Sequence, residues 1–350
     1  MQSPDVIIAG AGIIGISLAL ELRQRGAGVL VLDRQQPGRE ASSAAAGMLA
    51  ATDPETPPLL RELCLEGARL YPEFVQKIEG ASQIQVDFRR HGTIVLGGET
   101  PAASASGDCR PLSSEELRRA EPHVETGGLP ACFVAEDSVD PALLMQSTLV
   151  AAQRLGIEIR GGIHVQAMDS SGSRVEVITD QGRLLAGAAV NCRGAWSGAP
   201  VTPRKGQMLY LQPQRPGLLA HVVRAPGAYI VPRSSGKILV GATLEDAGFD
   251  KVVDPQTIRQ LHSAAARHVP ELASATVIES WAGLRPGSPD NLPLIGETAS
   301  SRVFLASGHF RNGILLAPVT ARIVADLIAG RPAGMDISPF APQRFTVATA

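Results

Sequence analysis

The 350-residue chain is 44% hydrophobic and 19% charged, with a formal net charge of −2 and no long block of one sign, so its electrostatics favour neither a nucleic acid nor an anionic membrane as partner. That length suits two domains or one large α/β domain. A glycine-interrupted N-terminal apolar run without signal-peptide flanks, no apolar run of transmembrane length, and four scattered cysteines (Cys64, Cys109, Cys132, Cys192) without CxxC or metal-ligand spacing lead us to expect a reduced, cytoplasmic, metal-free protein.

In chain order, "DVIIAGAGIIG" is a short β-branched strand running into a glycine turn, and "IIGISLALELRQRG" is a helix stopped at Gly26. "AGVLVLDR" is a second buried strand ending at Asp33, so the first 33 residues form a βαβ unit and imply a parallel sheet. "QQPGREASSAAAGMLAATDPETPP" is neither a clean strand nor a clean helix, and loops of that length in compact domains are usually functional or disordered. Residues 59–79 read as a helix, "QVDFRRHGTIVLGG" as a strand pair, and "SSEELRRAEP" as a helix capped by Ser113 or Ser114. "DPALLMQSTLVAAQRLGIEIRGGIHVQAM" is a helix followed by a strand. "RVEVITDQGRLLAGAAVNCRGAW" is a hairpin turning at "DQG" and leading into a buried strand. Residues 205–245 are strand-rich, residues 254–270 helical, and the chain returns to strand in "RVFLASG" and helix in "GILLAPVTARIVADLIAG".

Gly10, Gly12 and Gly15 form G-x-G-x-x-G between the first strand and the first helix. The first glycine makes the tight turn, the second lets a pyrophosphate approach the backbone, and the third permits close packing of helix on strand. Asp33, 18 residues after Gly15, ends the next strand where an acid can hydrogen-bond a ribose diol. The acid disfavours NADP, while NAD and FAD share the fingerprint. The small residues of "SSAAAGML" (42–49) allow the main chain to approach an extended ligand, although such a stretch is also met in plain helices and linkers. In "WAGLRPGSPDNLPLIG" one arginine, Arg285, stands on a half-buried strand. Its planar fork needs an anion: either Asp290 in the following turn, or a substrate.

Together "GAGIIG", "SSAAAGML", "GAYIVPRSSGKILVGAT", "WAGLRPGSPDNLPLIG" and "GHFRNGILLAP", in order over almost the whole chain, resemble the D-amino-acid oxidase superfamily of flavoproteins, and within it the bacterial glycine oxidase branch of thiamine biosynthesis. The resemblance implies an α/β fold in which a glutathione-reductase-type, Rossmann-like FAD domain (1–85, 140–203 and 282–350) is interleaved with an antiparallel-sheet α+β substrate domain (86–139 and 204–281). It implies noncovalent FAD, one per chain, since the segment near Arg285 lacks the cysteine by which some relatives tether flavin. Gly10, Gly12, Ile13, Ile14, Gly15, Asp33 and Arg34 then serve the pyrophosphate and adenosine. Ala41, Ser42, Ala46, Gly47 and Met48 run toward the flavin, Val165 meets the adenine, and His309, Phe310, Arg311, Asn312, Gly313, Ile314 and Leu315 cradle the isoalloxazine. Arg285 and Tyr229 take the carboxylate of an amino acid, with Arg311, Met48 and Leu244 beside it.

No residue serves as catalytic acid or base in this chemistry, because a neutral amine loses hydride to the flavin and O2 reoxidises it to give peroxide. The other histidines carry no motif. The family implies glycine, sarcosine or small D-amino acids as substrates and a homotetramer. The chain departs from the glycine oxidase pattern at Gly227, Ala228, Leu244 and Thr52, and loss of a ring beside Tyr229 is expected to widen the pocket. A D-amino-acid dehydrogenase passing electrons to a quinone, or a flavin-binding scaffold without turnover, are the alternative readings; retention of Arg285 and Tyr229 together speaks against the scaffold.

Overall fold

The structure is a computed structural model describing residues 3–97, 109–198 and 200–345. A six-stranded sheet runs in the order Leu294–Glu297, Val303–Ser307, Ala188–Asn191, Val6–Ala9, Val29–Leu32 and Glu158–Arg160. All its neighbours are parallel except the first pair. Its central strands are unbroken apolar runs because both faces are covered. Val6, Ile8 and Val31 face the helices Ile13–Gln24, Arg61–Ser82, Pro141–Arg154 and Gly313–Ile328. The alternate residues Ile7, Ala9, Leu30 and Leu32 face a three-stranded meander, Val165–Ser171, Arg174–Thr179 and Gly182–Ala186.

An eight-stranded sheet forms the second layer, in the order Thr276–Gly287, Thr202–Gln212, Ile238–Gly241, Ala228–Pro232, Val222–Ala225, Thr93–Leu96, Ala131–Val134 and Cys109–Leu112. It is antiparallel apart from the pairing of Val222–Ala225 with Thr93–Leu96. Period-two alternation again divides its strands. Ile230, Val240 and Leu209 pack under the helix Pro255–His268, whereas Tyr229, Val231, Leu239 and Tyr210 face Ala46 and Met48. That second face closes over the C-terminal ends of the parallel strands, where open α/β sheets bind ligands.

Most elements expected from the sequence are present, with instructive differences. Phe88–Arg89 and Thr93–Leu96 belong to different sheets; the former joins Met48–Leu49 and Asp137–Val139 in a small sheet between the layers. The helix expected over 59–79 runs from Arg61 to Ser82, past Gly80. Ser113 is the cap of Ser114–Ala120, in a reciprocal capping box with Glu116. The expectation of reduced thiols is corrected for two cysteines. Cys109 and Cys132 lie on adjacent antiparallel strands with Cα atoms 5.8 Å apart and are joined in a disulfide. Sheet pairing brings them together, and a separation of 23 residues in the chain gives no hint of it. Cys64 and Cys192 are buried and free. Among the described residues, no helix is long and apolar enough to cross a membrane, and no cluster of three or more candidate ligands could hold a metal.

Candidate active site

At the nucleotide end, the helix Ile13–Gln24 begins at Gly12 with no side-chain cap and no acid in its first turn. Its positive end is therefore open to an anion. Gly15 lies against the turn itself, where a Cβ would sit 1.9 Å from the Gly10 carbonyl oxygen. Asp33 is held by two amides, Ala11 N–H to Oδ2 at 2.7 Å and Gln35 N–H to Oδ1 at 2.9 Å. Each carboxylate oxygen keeps a lone pair for a further donor. Ser42 Oγ accepts the Ile13 N–H at 2.9 Å, bringing the small-residue segment over the helix terminus.

From there an open cleft runs between the two layers to Tyr229 and Arg285. Gly10, Gly12, Ile13, Ile14, Asp33, Arg34, Ala41, Ser42, Ala46, Gly47, Met48 and Val165 line it, as do His309, Phe310, Arg311, Gly313 and Ile314. Four expected residues do not. Gly15 sits beneath the turn, Leu315 is in the helix-side core, Asn312 turns its amide to the His309 carbonyl, and Leu244 is 62% exposed. Glycines where amides must be approached, a helix terminus without an acidic cap and an oriented acid suit an extended dinucleotide.

At the far end, the anion that Arg285 needs is not Asp290. Asp290 is taken by Arg344 at 2.9 Å, and no carboxylate of the described residues forms an ion pair with Arg285. Nη1 of Arg285 donates to the Thr243 carbonyl at 3.1 Å, and the Tyr229 phenol lines the same end of the cleft, close enough to feel the guanidinium charge. Gly206 on the next strand permits this position, since a Cβ there would stand 2.3 Å from Nη1. Burial pushes the Tyr229 phenol above its usual pKa despite the cationic Arg285, so it remains a neutral donor. Arg311 is ion-paired with Glu55 and is half exposed. His309 is 2% exposed, with Nε2 at 3.1 Å from Thr320 Oγ1. Burial lowers its pKa to about 3 and keeps it neutral.

Gly227 and Ala228 do not widen the cleft. Gly227 is exposed near Ala264 and Arg267, and Ala228 packs into the core beneath the helix Pro255–His268. They lie on the other side of the strand from the Tyr229 ring. Thr52 instead joins a network that sequence reasoning missed. Its hydroxyl donates to Glu136 at 3.2 Å, and Arg224 bridges Glu136 and Asp53 at 3.0 and 2.9 Å. Burial raises the Glu136 pKa against the pull of Arg224. Also missed were Trp196, whose ring lies 3.8 Å from the Arg34 guanidinium carbon, and Arg193, whose Nη1 occupies the Val165 carbonyl at 2.6 Å. The "NCRGAW" strand end was the available signal for both.

Residues 5–327 match the family described as DAO, FAD dependent oxidoreductase. The chain belongs to that family. The family is one of FAD-dependent oxidoreductases, and the cleft has the features such a cofactor needs. Among similar proteins, the Bifunctional protein ThiO/ThiG of Synechocystis sp. is 36% identical over 99% of this chain and 54% of its own length; the chain spans about half of that relative. A glycine oxidase of Pseudomonas aeruginosa is 33% identical over 97% of this chain and 99% of its own length. The crystal structure of glycine oxidase from Geobacillus kaustophilus superposes with a TM-score of 0.92 at 31% identity, covering 98% of this chain and 99% of that one. The mixed α/β architecture derived above is thus that of a known member of the family.

Proposed function

We propose that this protein oxidises glycine and other small amines, with sarcosine and small D-amino acids as further substrates. The observation that carries the reading is Arg285, a half-buried guanidinium at the end of the cleft that has a tyrosine and a carbonyl for company and no protein carboxylate. An amino-acid carboxylate completes it, gripped by the fork and by the Tyr229 hydroxyl. Bound FAD supplies the two-electron acceptor. The protein's part is orientation: Arg285 and Tyr229 fix one end of the substrate, and Met48 on the short strand Met48–Leu49 borders it. Arg311 serves the same carboxylate once released from Glu55. No protein base is required, because the substrate enters as the free amine. His309, neutral and tied to Thr320, is not one. Overall, glycine, O2 and water give glyoxylate, ammonia and hydrogen peroxide.

The flavin is held without a covalent bond in this reading. Cys192 lines the cleft, but burial pushes its thiol well above the usual range, so it stays protonated and unreactive. The six-stranded layer with residues 1–85, 140–203 and 282–350 serves FAD, and 86–139 with 204–281 serves the substrate. The same reading has the protein act in the cytoplasm as a homotetramer and feed thiamine thiazole synthesis, in keeping with its similarity to the Bifunctional protein ThiO/ThiG. The test is oxygen uptake with a coupled peroxide assay on glycine, sarcosine and D-alanine. Stoichiometric peroxide with at least one of them is expected. Substrate-dependent reduction of a quinone with negligible oxygen uptake would replace the oxidase by a dehydrogenase.

A further inference from the structure

Arg233, in the turn after strand Ala228–Pro232, is 4% exposed, and its side chain leaves its own sheet altogether. Nη2 donates to the Ala46 carbonyl at 2.6 Å and Nη1 to the Val139 carbonyl at 3.0 Å. Its acidic neighbour, Asp140, is 3.8 Å from Nε, which has no hydrogen-bond partner. Asp140 is itself engaged in capping the helix Pro141–Arg154. The cation is therefore directed mainly at two peptide carbonyls, and its turn is fixed from behind by Ser234, whose amide and hydroxyl donate to Asp87 at 2.7 and 2.6 Å. A second side chain of the same sheet does similar work. Trp281 Nε1 donates to the Ala44 carbonyl at 3.1 Å.

Ala44 and Ala46 are alternate residues, and Ala45 between them is extended at φ −72°, ψ 161°. In a trans peptide each carbonyl is antiparallel to the N–H that follows it, so the amides of Ala45 and Gly47 point away from the two clamps. Both residues line the cleft. Gly47, at φ +79°, presses so closely on the strand Asp137–Val139 that a Cβ would be 1.9 Å from the Val139 oxygen.

We propose that Arg233 and Trp281 are positioning residues for the cofactor: by holding the carbonyls of Ala46 and Ala44 they aim the amides of Gly47 and Ala45 into the cleft as hydrogen-bond donors to FAD. The eight-stranded sheet thereby sets how tightly the other layer holds its flavin. The inference rests on FAD lying in this cleft.

The experiment titrates FAD into the apoprotein of wild type, Arg233→Lys, Trp281→Phe and the double variant. It follows flavin fluorescence, the visible spectrum of each complex, and melting temperature with and without FAD. Lysine cannot serve both carbonyls at the guanidinium's angles. Loss of one charge-assisted hydrogen bond gives FAD binding weaker by roughly 10- to 100-fold, and loss of the neutral indole bond by about 3- to 10-fold. The double variant loses less than the product of the two, because both act on one segment. The bands of the bound flavin shift. Melting falls without FAD, because buried carbonyls lose their donors, and falls further in its presence, because weakened binding removes part of the stabilisation that FAD gives. Wild-type affinity and spectrum in the variants overturn the proposal, and so does an equal fall in melting temperature with and without FAD, the mark of a purely structural role. Should Arg233→Lys fail to fold, Trp281→Phe decides by the same criteria. A wild-type protein that takes no FAD removes the cofactor from the cleft and the clamp with it.

Discussion

Replacing Arg285 should separate substrate binding from cofactor binding. One of its five N–H donors is occupied by the Thr243 carbonyl, leaving the remaining donors for an anion. Lysine keeps the charge but loses the planar fork, so at least one charge-assisted bond is lost, about 1.5–3 kcal/mol. That corresponds to a fall of roughly 10- to 150-fold in kcat/KM for glycine. Methionine removes the charge as well and leaves the substrate carboxylate facing Tyr229 alone. The expected cost is about 3–5 kcal/mol, or roughly 200- to 5000-fold. Steady-state oxygen uptake gives kcat/KM, and anaerobic flavin reduction against glycine concentration gives the binding step by itself. FAD should remain bound in both variants. Half-saturation by glycine at the wild-type concentration in Arg285→Met would refute the carboxylate role and return Arg285 to a structural one.

Gly206→Ala should act on the same arginine without touching it, because the new Cβ meets Nη1 at 2.3 Å; KM for glycine rises by about 10-fold or more while the FAD spectrum is retained, measured by the same uptake assay. Tyr229→Phe removes one neutral donor and should raise KM by about 3- to 10-fold. Because burial raises the phenol's pKa, the wild-type KM should show no rise from Tyr229 ionisation as pH passes 10. His309, lowered from 6.5 to about 3 by burial, binds fewer protons folded than unfolded between those values. Its contribution is fully present above pH 6.5 and lost as pH falls, costing on the order of 2 kcal/mol by pH 5. Denaturant melts at the two pH values should show this difference, reduced in His309→Asn.

The nucleotide end was legible because its chemistry is local. Gly10, Gly12, Gly15 and Asp33 lie within one βαβ unit, and both spacing and periodicity survive in the linear chain. Arg285 was legible as an anomaly, a cation on a half-buried strand, but whether Asp290 satisfied it depended on Arg344, 54 residues after the acid. What escaped was set by pairing between distant segments. The register that puts Arg224 opposite Tyr229, and Arg224 between Asp53 and Glu136, joins three stretches of chain. The Cys109–Cys132 disulfide depends on neighbouring strands in the same way. Leu244 was misplaced because sequence order put it after a strand bordering the cleft, whereas the chain turns outward there and leaves it exposed. Gly227 and Ala228 precede Tyr229 directly, yet strand alternation turns Ala228 toward the helix side. Arg233 and Trp281 stood inside quoted motifs, but their partners are backbone carbonyls 187 and 237 residues away, which no side-chain pattern records.

The most direct measurement is anaerobic. Purified protein with its FAD is mixed with glycine in the absence of air, and the flavin absorbance near 450 nm is followed, then air is readmitted. The account predicts bleaching that saturates with glycine and recovers with release of peroxide. A flavin that stays yellow with glycine, sarcosine and D-alanine alike would contradict it, because the arginine and tyrosine at the end of the cleft would then have no amino acid to hold.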